Sequence, residues 1–298
     1  MGTIIKNTAI ITDNGYSAIA NATRAGIECL EGAGVDPGKV GLLINAGIFR
    51  DDNIMEPSIA SLIQKELKMG LDFDPEQPNQ STFSFDVVNG ACGFLNAVNV
   101  ADSFLKNGNV QYALILCGDA HPSKTNHPEF PYKAVGAAAL LKFSADANKG
   151  FQRFSYRSNG HDQVSSISAY GDMVAFGDQG RKRATLVFQN QYLNQFRQLN
   201  IELINTFLAE HNHPNIDFLV GSDPEPGFCT SVCQESSLSN QTTRALELFN
   251  QFDGDVHTAA PIAGFHHLRK EIDSGAPQSL LFSSVGSGDA SACALYYT

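Results

Sequence analysis

The chain has 298 residues, 43% hydrophobic and 17% charged, a globular composition long enough to bury a core without disulfides. Acidic residues outnumber basic ones 31 to 20, and the net charge of -11 disfavours a general nucleic-acid binder. Six cysteines are too sparse here for a disulfide scaffold and read as buried or reactive thiols in a reducing compartment.

The N-terminus lacks the basic start, apolar stretch and cleavage site of a signal peptide, and no apolar run reaches the roughly 20 residues of a membrane helix. A soluble cytoplasmic protein is expected. The spacing of apolar residues predicts a helix over 18–33, ending at Gly34, then a buried strand over 40–46. A helix follows over 57–67 with Pro57 in its first turn, then a short strand over 84–88. Residues 93–106 read as a helix stopped by Asn107 and Gly108, followed by strands over 112–117 and 134–143. In the second half, 185–210 reads as one long amphipathic helix. A strand over 218–221, helices over 241–252 and 259–273, and closing strands over 279–284 and 290–297 complete the pattern. Alternating strands and helices predict an α/β protein with largely buried mixed sheets. The turn over 146–150 is the natural boundary between the halves.

Two segments carry chemistry. In Phe85-Asp-Val-Val-Asn-Gly-Ala-Cys92-Gly-Phe94 a strand ends, small residues turn, and a cysteine opens a helix. A helix N-terminus favours thiolate over thiol, so a lowered pKa is expected at Cys92. The bland alternative is a buried structural cysteine. Val285-Gly-Ser-Gly-Asp-Ala-Ser-Ala292 is a small-residue turn between two strands. It is either a plain hairpin or a place where a backbone N–H faces a ligand.

Together these pieces resemble the thiolase superfamily, most closely its β-ketoacyl-acyl-carrier-protein synthase III branch. The resemblance also rests on the passage from Ala101 through Gly108 to Ala113-Leu114-Ile115, on Val135-Gly136-Ala137-Ala138-Ala139-Leu140, and on Thr258-Ala259-Ala260-Pro261. It implies a five-layer α/β/α/β/α sandwich of two similar halves, 1–148 and 149–298, usually dimeric. It implies a nucleophile at Cys92 that accepts an acyl group, and an oxyanion hole from the N–H groups of Cys92 and Gly288. At the family's histidine position stands Ser222, and at its asparagine position Val256, with His257 one residue further on. His257 or Ser222 is then the candidate to assist transfer. The aromatic-plus-arginine clamp for coenzyme A has no counterpart: there is no Trp, and Gly227 stands at the arginine position.

The resemblance implies an acyltransferase of fatty-acid, polyketide or secondary metabolism, or a catalytically degenerate partner subunit of a heterodimeric ketosynthase. Acyl-coenzyme A or an acyl-carrier protein would be the substrate, with no tightly bound cofactor. Arg181-Lys182-Arg183 is the candidate patch for an acidic carrier. The pair Cys229 and Cys233, with His211 and His213, lacks a second metal-binding pair, so no metal site is expected.

Overall fold

A computed structural model describes residues 2–12, 15–71, 81–159, 166–170, 177–286 and 288–298. The first half runs β1 (Gly2–Ile11), α1 (Ala18–Ala33), β2 (Val40–Asn45), α2 (Ile59–Glu66), β3 (Phe83–Asp86), α3 (Gly93–Lys106), β4 (Tyr112–Asp119) and β5 (Val135–Ser144). The second runs β6 (Gly150–Ser158), β7 (Ser166–Tyr170), β8 (Ala184–Phe188), α4 (Tyr192–Glu210), β9 (Phe218–Gly221), α5 (Phe228–Glu235), β10 (Arg244–Ala245), α6 (Phe249–Phe252), α7 (Ala260–Ser274), β11 (Ser279–Gly286) and β12 (Ala290–Tyr297).

The strand order shows a duplication that the residues themselves hide. The first half pairs β3-β2-β4-β5-β1, and the second β10-β9-β11-β12-β6. In each, the first three pair parallel and the last three antiparallel. The two half-sheets are joined by one ladder pair, Thr3 opposite Phe151, making a ten-stranded sheet. The hairpin β7–β8 is an addition to the second half.

Three apolar cores stack along the molecule. One packs α1 and α2 on the first half-sheet. Another packs α4 and α5 on the second. The largest lies between, with α3 and α7 buried against strands of both halves. The layers are therefore helix, sheet, helix, sheet, helix.

Local chemistry sets these elements. Ser17 caps α1 by accepting the Ala20 N–H at 3.0 Å, and Gly34 ends it in the left-handed region at φ 63°. Asp86, inside the cysteine-bearing motif, accepts the N–H groups of Ile59 and Ala60 and pairs with Arg50 at 3.3 Å. It holds the start of α2, so that conspicuous acid is structural. The small residues of β4 and β5 let α1 approach closely; a Cβ on Gly118 would enter the Ala18 carbonyl group.

Two sequence expectations give way. Residues 185–210 are not one helix: 184–188 forms β8, and α4 begins at Tyr192. Thr185 and Val187 are exposed between partly buried Ala184, Leu186 and Phe188, the period of a strand. Residues 241–252 hold only β10 and the one-turn α6. There Arg244 and Ala245 extend the sheet beside β9. The N-terminal segment forms the ten-residue β1, paired along its length with β5.

Gly136 of β5 faces α1 so closely that an added Cβ would collide with the backbone carbonyl of Asn21. Gly136→Ala is expected to cost about 1–3 kcal/mol, the range for overpacking a filled core. A lower denaturant midpoint at unchanged slope would show it; an unchanged midpoint would refute close α1–β5 packing.

Candidate active site

The two central helices each begin after a 3-10 turn, Gly90–Cys92 before α3 and His257–Ala259 before α7. These turns occupy equivalent places in the two halves, and they pack against each other. The end of β11 lies over the first turn; a Cβ on Gly286 would sit 3.0 Å from the Asn89 carbonyl oxygen and 3.4 Å from the Ala91 nitrogen.

Cys92 is fully buried. Its thiol reaches the carbonyl oxygens of Ser284 at 3.4 Å and Ala290 at 3.6 Å. The lowered pKa expected from the helix terminus is not found. Burial pushes the thiol up to about 12, because a thiolate there would lose its hydration. Two carbonyl acceptors also favour the protonated form. All six cysteines are free and buried.

His257 stands at the start of the opposing turn with φ 42°, a left-handed conformation rare for a non-glycine residue. Its neighbours hold it there. Its backbone N–H donates to Asp255 Oδ1 at 2.7 Å. The next residue, Thr258, donates its N–H and hydroxyl to Asp119 Oδ2 at 3.0 and 2.6 Å. Asp119, at the end of β4, is fully buried, and its Oδ1 faces His257 Nδ1 at 3.5 Å. Among the described residues neither of those two atoms has a hydrogen-bond partner, so they face each other as an ion pair. Tyr132 stacks on the imidazole at 4.0 Å between centroids, 15° from parallel. Phe49 lies against it at 6.0 Å.

Burial alone would lower the His257 pKa, but the charges of Asp119 and Asp255 outweigh it and raise the value. Burial also lifts the Asp255 carboxyl to about 6, against the opposing pull of His257. Two neighbouring carboxyl groups therefore support the charged form of a buried imidazole. With Nδ1 turned to Asp119, Nε2 is the nitrogen left for chemistry.

A cavity of about 60 Å³, room for a few waters, joins these groups. His257, Asp255, Tyr132 and Ser222 line it with Ala91, the neighbour of Cys92. Phe188 of β8 and Tyr192 and Phe196 of α4 add an aromatic wall. The Ser222 hydroxyl is shared with the backbone of β11, donating to the Val285 carbonyl at 3.3 Å and accepting its N–H at 3.1 Å. Asp223 beside it accepts N–H groups from Cys229, Leu248 and Phe249, tying the starts of α5 and α6 together.

The sequence-predicted oxyanion donors stand apart from this cavity. The Cys92 N–H donates to the Asn89 carbonyl at 3.1 Å, and Gly288 is exposed on the β11–β12 turn at φ 76°. Asp119, Asp255 and Tyr132 were missed as site residues. Asp119 carried a signal: a charge ending an otherwise apolar strand needs a partner inside the protein. Arg181-Lys182-Arg183 is exposed, its main chain anchored by Asn53 to Gly180 and Arg183. Among the described residues no cluster of three or more metal-ligating side chains forms, and Cys229 and Cys233 donate to main-chain carbonyls.

No family model matches the chain. Over 107 residues it is 32% identical to an acyl-CoA:acyl-CoA alkyltransferase of Xanthomonas campestris pv. campestris, covering 36% of this chain and 28% of that protein. Over 110 residues it is 36% identical to the β-ketoacyl-[acyl-carrier-protein] synthase III of Acholeplasma laidlawii, covering 37% and 32%. The chain thus matches about a third of the length of these curated relatives. Its backbone superposes on the 3-oxoacyl-(acyl carrier protein) synthase III of Pseudomonas aeruginosa PAO1 with a TM-score of 0.78, over 99% of this chain and 98% of that one. At 13% identity, that likeness establishes the fold.

The Asp119–His257 pair makes a signed prediction. A histidine whose folded pKa lies above its unfolded value of about 6.5 adds stability below that pH and loses it as pH rises through the folded pKa. Asp119→Asn should lower the His257 pKa, followed by NMR titration. It should cost about 1–3 kcal/mol through the weakened Thr258 hydrogen bonds, and more at pH 5.5 than at pH 8.5. Equal losses at both pH values would rule out the charge pairing.

Proposed function

The chain is thiolase-like in fold and kin to the β-ketoacyl-acyl-carrier-protein synthase III proteins, and from that premise we propose that it accepts acyl groups from thioesters onto Cys92. The observation that carries this reading is the meeting of two helix-start turns, one bearing Cys92 beside the cavity-lining Ala91 and the other the Asp119-paired His257. His257 Nε2 takes the proton from the Cys92 thiol. The sulfur bonds to the acyl carbon, the donor carbon–sulfur bond breaks, and the leaving thiolate receives the proton. Acyl-coenzyme A or an acyl-carrier protein is the donor, the latter docking at Arg181-Lys182-Arg183.

The test is intact-mass analysis after incubation with a panel of acyl-coenzyme A and acyl-carrier donors. The wild type should gain one acyl mass, and Cys92→Ala none. Loss of His257 in His257→Ala should slow acylation by about 10²–10⁴-fold, the usual contribution of a positioned base. A thiol at about 12 has a thiolate fraction that grows tenfold per pH unit, so Cys92 alkylation should climb without a plateau from pH 7 to 9. No adduct with any donor would defeat the proposal, and a plateau near pH 8 would show that burial does not hold the thiol near 12.

A second reading is favoured by two observations: Cys92 is sealed with its N–H already engaged, and the β3 edge presents Phe83 and Val88, each more than half exposed. In it the chain is the degenerate subunit of a heterodimeric ketosynthase, offering that edge to a complete synthase. Co-expression should then yield a stable complex that Phe83→Asp dissociates. Turnover by the isolated chain at the rate of a complete synthase would exclude this reading.

A further inference from the structure

Beyond Tyr132 lies a second, much larger space. The cavity at His257 holds about 60 Å³, far below the roughly 300–1,000 Å³ of ordinary small-molecule pockets. A groove of about 900 Å³ opens on the other side, walled by Tyr16, His121, His127, Phe130, Phe252 and His267. Tyr132 and Pro131 belong to the walls of both. The Tyr132 ring therefore lies between the groove and the imidazole on which it stacks.

The segment carrying Tyr132 is attached like a strap. It makes a single parallel bridge, Tyr132 to Asp255. The Lys133 N–H donates to the Asp255 carbonyl at 2.8 Å. Lys133 Nζ pairs with Asp253 at 3.0 Å, and both side chains are exposed, so water competes for that bond. The ring itself is held by aromatic contacts, Phe130 and Phe49 each at 5.5 Å. Few bonds resist its displacement, and displacing it joins the groove to the cavity that reaches Ala91, next to Cys92.

We propose that Tyr132 is the partition that sets which groups reach Cys92, and that the groove beyond it is the compartment for the acyl chain of the thioester. Oxygen-bearing or aromatic acyl groups suit that groove, since imidazoles and aromatic rings make up much of its wall. The inference deepens the acyl-transfer reading, so its test uses alkylating probes that need no acyl transfer.

Each of the six cysteines is followed by peptide mass mapping during labelling with iodoacetamide and with the bulkier N-benzyl iodoacetamide. In Tyr132→Ala, Cys92 labelling should rise about tenfold or more, by more with the bulky probe, while the other five cysteines keep their rates. Tyr132→Phe, which retains the ring, should label as the wild type, and Lys133→Met, which frees the strap, should fall between. An unchanged Cys92 rate in Tyr132→Ala would overturn the proposal. So would equal acceleration at all six cysteines, which marks general loosening, or acceleration by Phe188→Ala alone, which puts the entrance on the β8 side. Failure of acylation with the labelling gain intact would remove the acyl-transfer reading and leave the partition standing.

Discussion

The central layer governs this molecule. Two helices, α3 and α7, are buried between two half-sheets joined by a single ladder pair. Neither half-sheet could bury its inner face without them. Each helix must enter that layer from the end of a parallel strand pair, so the duplicated topology brings both starting turns to the same place. The candidate site is the consequence. It sits where backbone N–H groups end without helical partners, and where side chains from both halves converge.

Burial at that junction acts on each group according to its neighbours. Cys92 has carbonyl oxygens around its sulfur and no cation, so desolvation wins and the thiol keeps its proton. The helix dipole, worth at most about 2 kcal/mol in favourable geometries, does not offset it. His257 is equally buried but has Asp119 and Asp255 beside it, so its charged form survives. The same low dielectric thus opposes charge on the sulfur and supports it on the imidazole.

The cysteine-bearing segment, the helix from Gly93 and strands β2 to β5, β9, β11 and β12 were legible because they rest on local spacing. The reading of 185–210 as a helix failed because Thr185, Leu186, Val187 and Phe188 are too few to separate the two periods, and pairing with β7 decided between them. The pKa direction at Cys92 failed for a different reason. A helix start is visible in sequence, but the carbonyls of Ser284 and Ala290 come from nearly 200 residues away. Asp119 and Asp255 take their roles only where Thr258 and His257 fold against them.

What the sequence by itself determined was the thiolase-like class, the cysteine at a helix start and the departures at Ser222, Val256 and His257. Those follow from residue types and spacings along one segment at a time. Only the tertiary structure decided which departure matters. It engaged the Ser222 hydroxyl with β11, set His257 between two carboxyl groups, sealed Cys92, and placed Tyr132 between a small cavity and a large groove. Each of these is a relation between segments far apart in the chain, and desolvation, charge pairing and access are properties of such relations rather than of any residue alone.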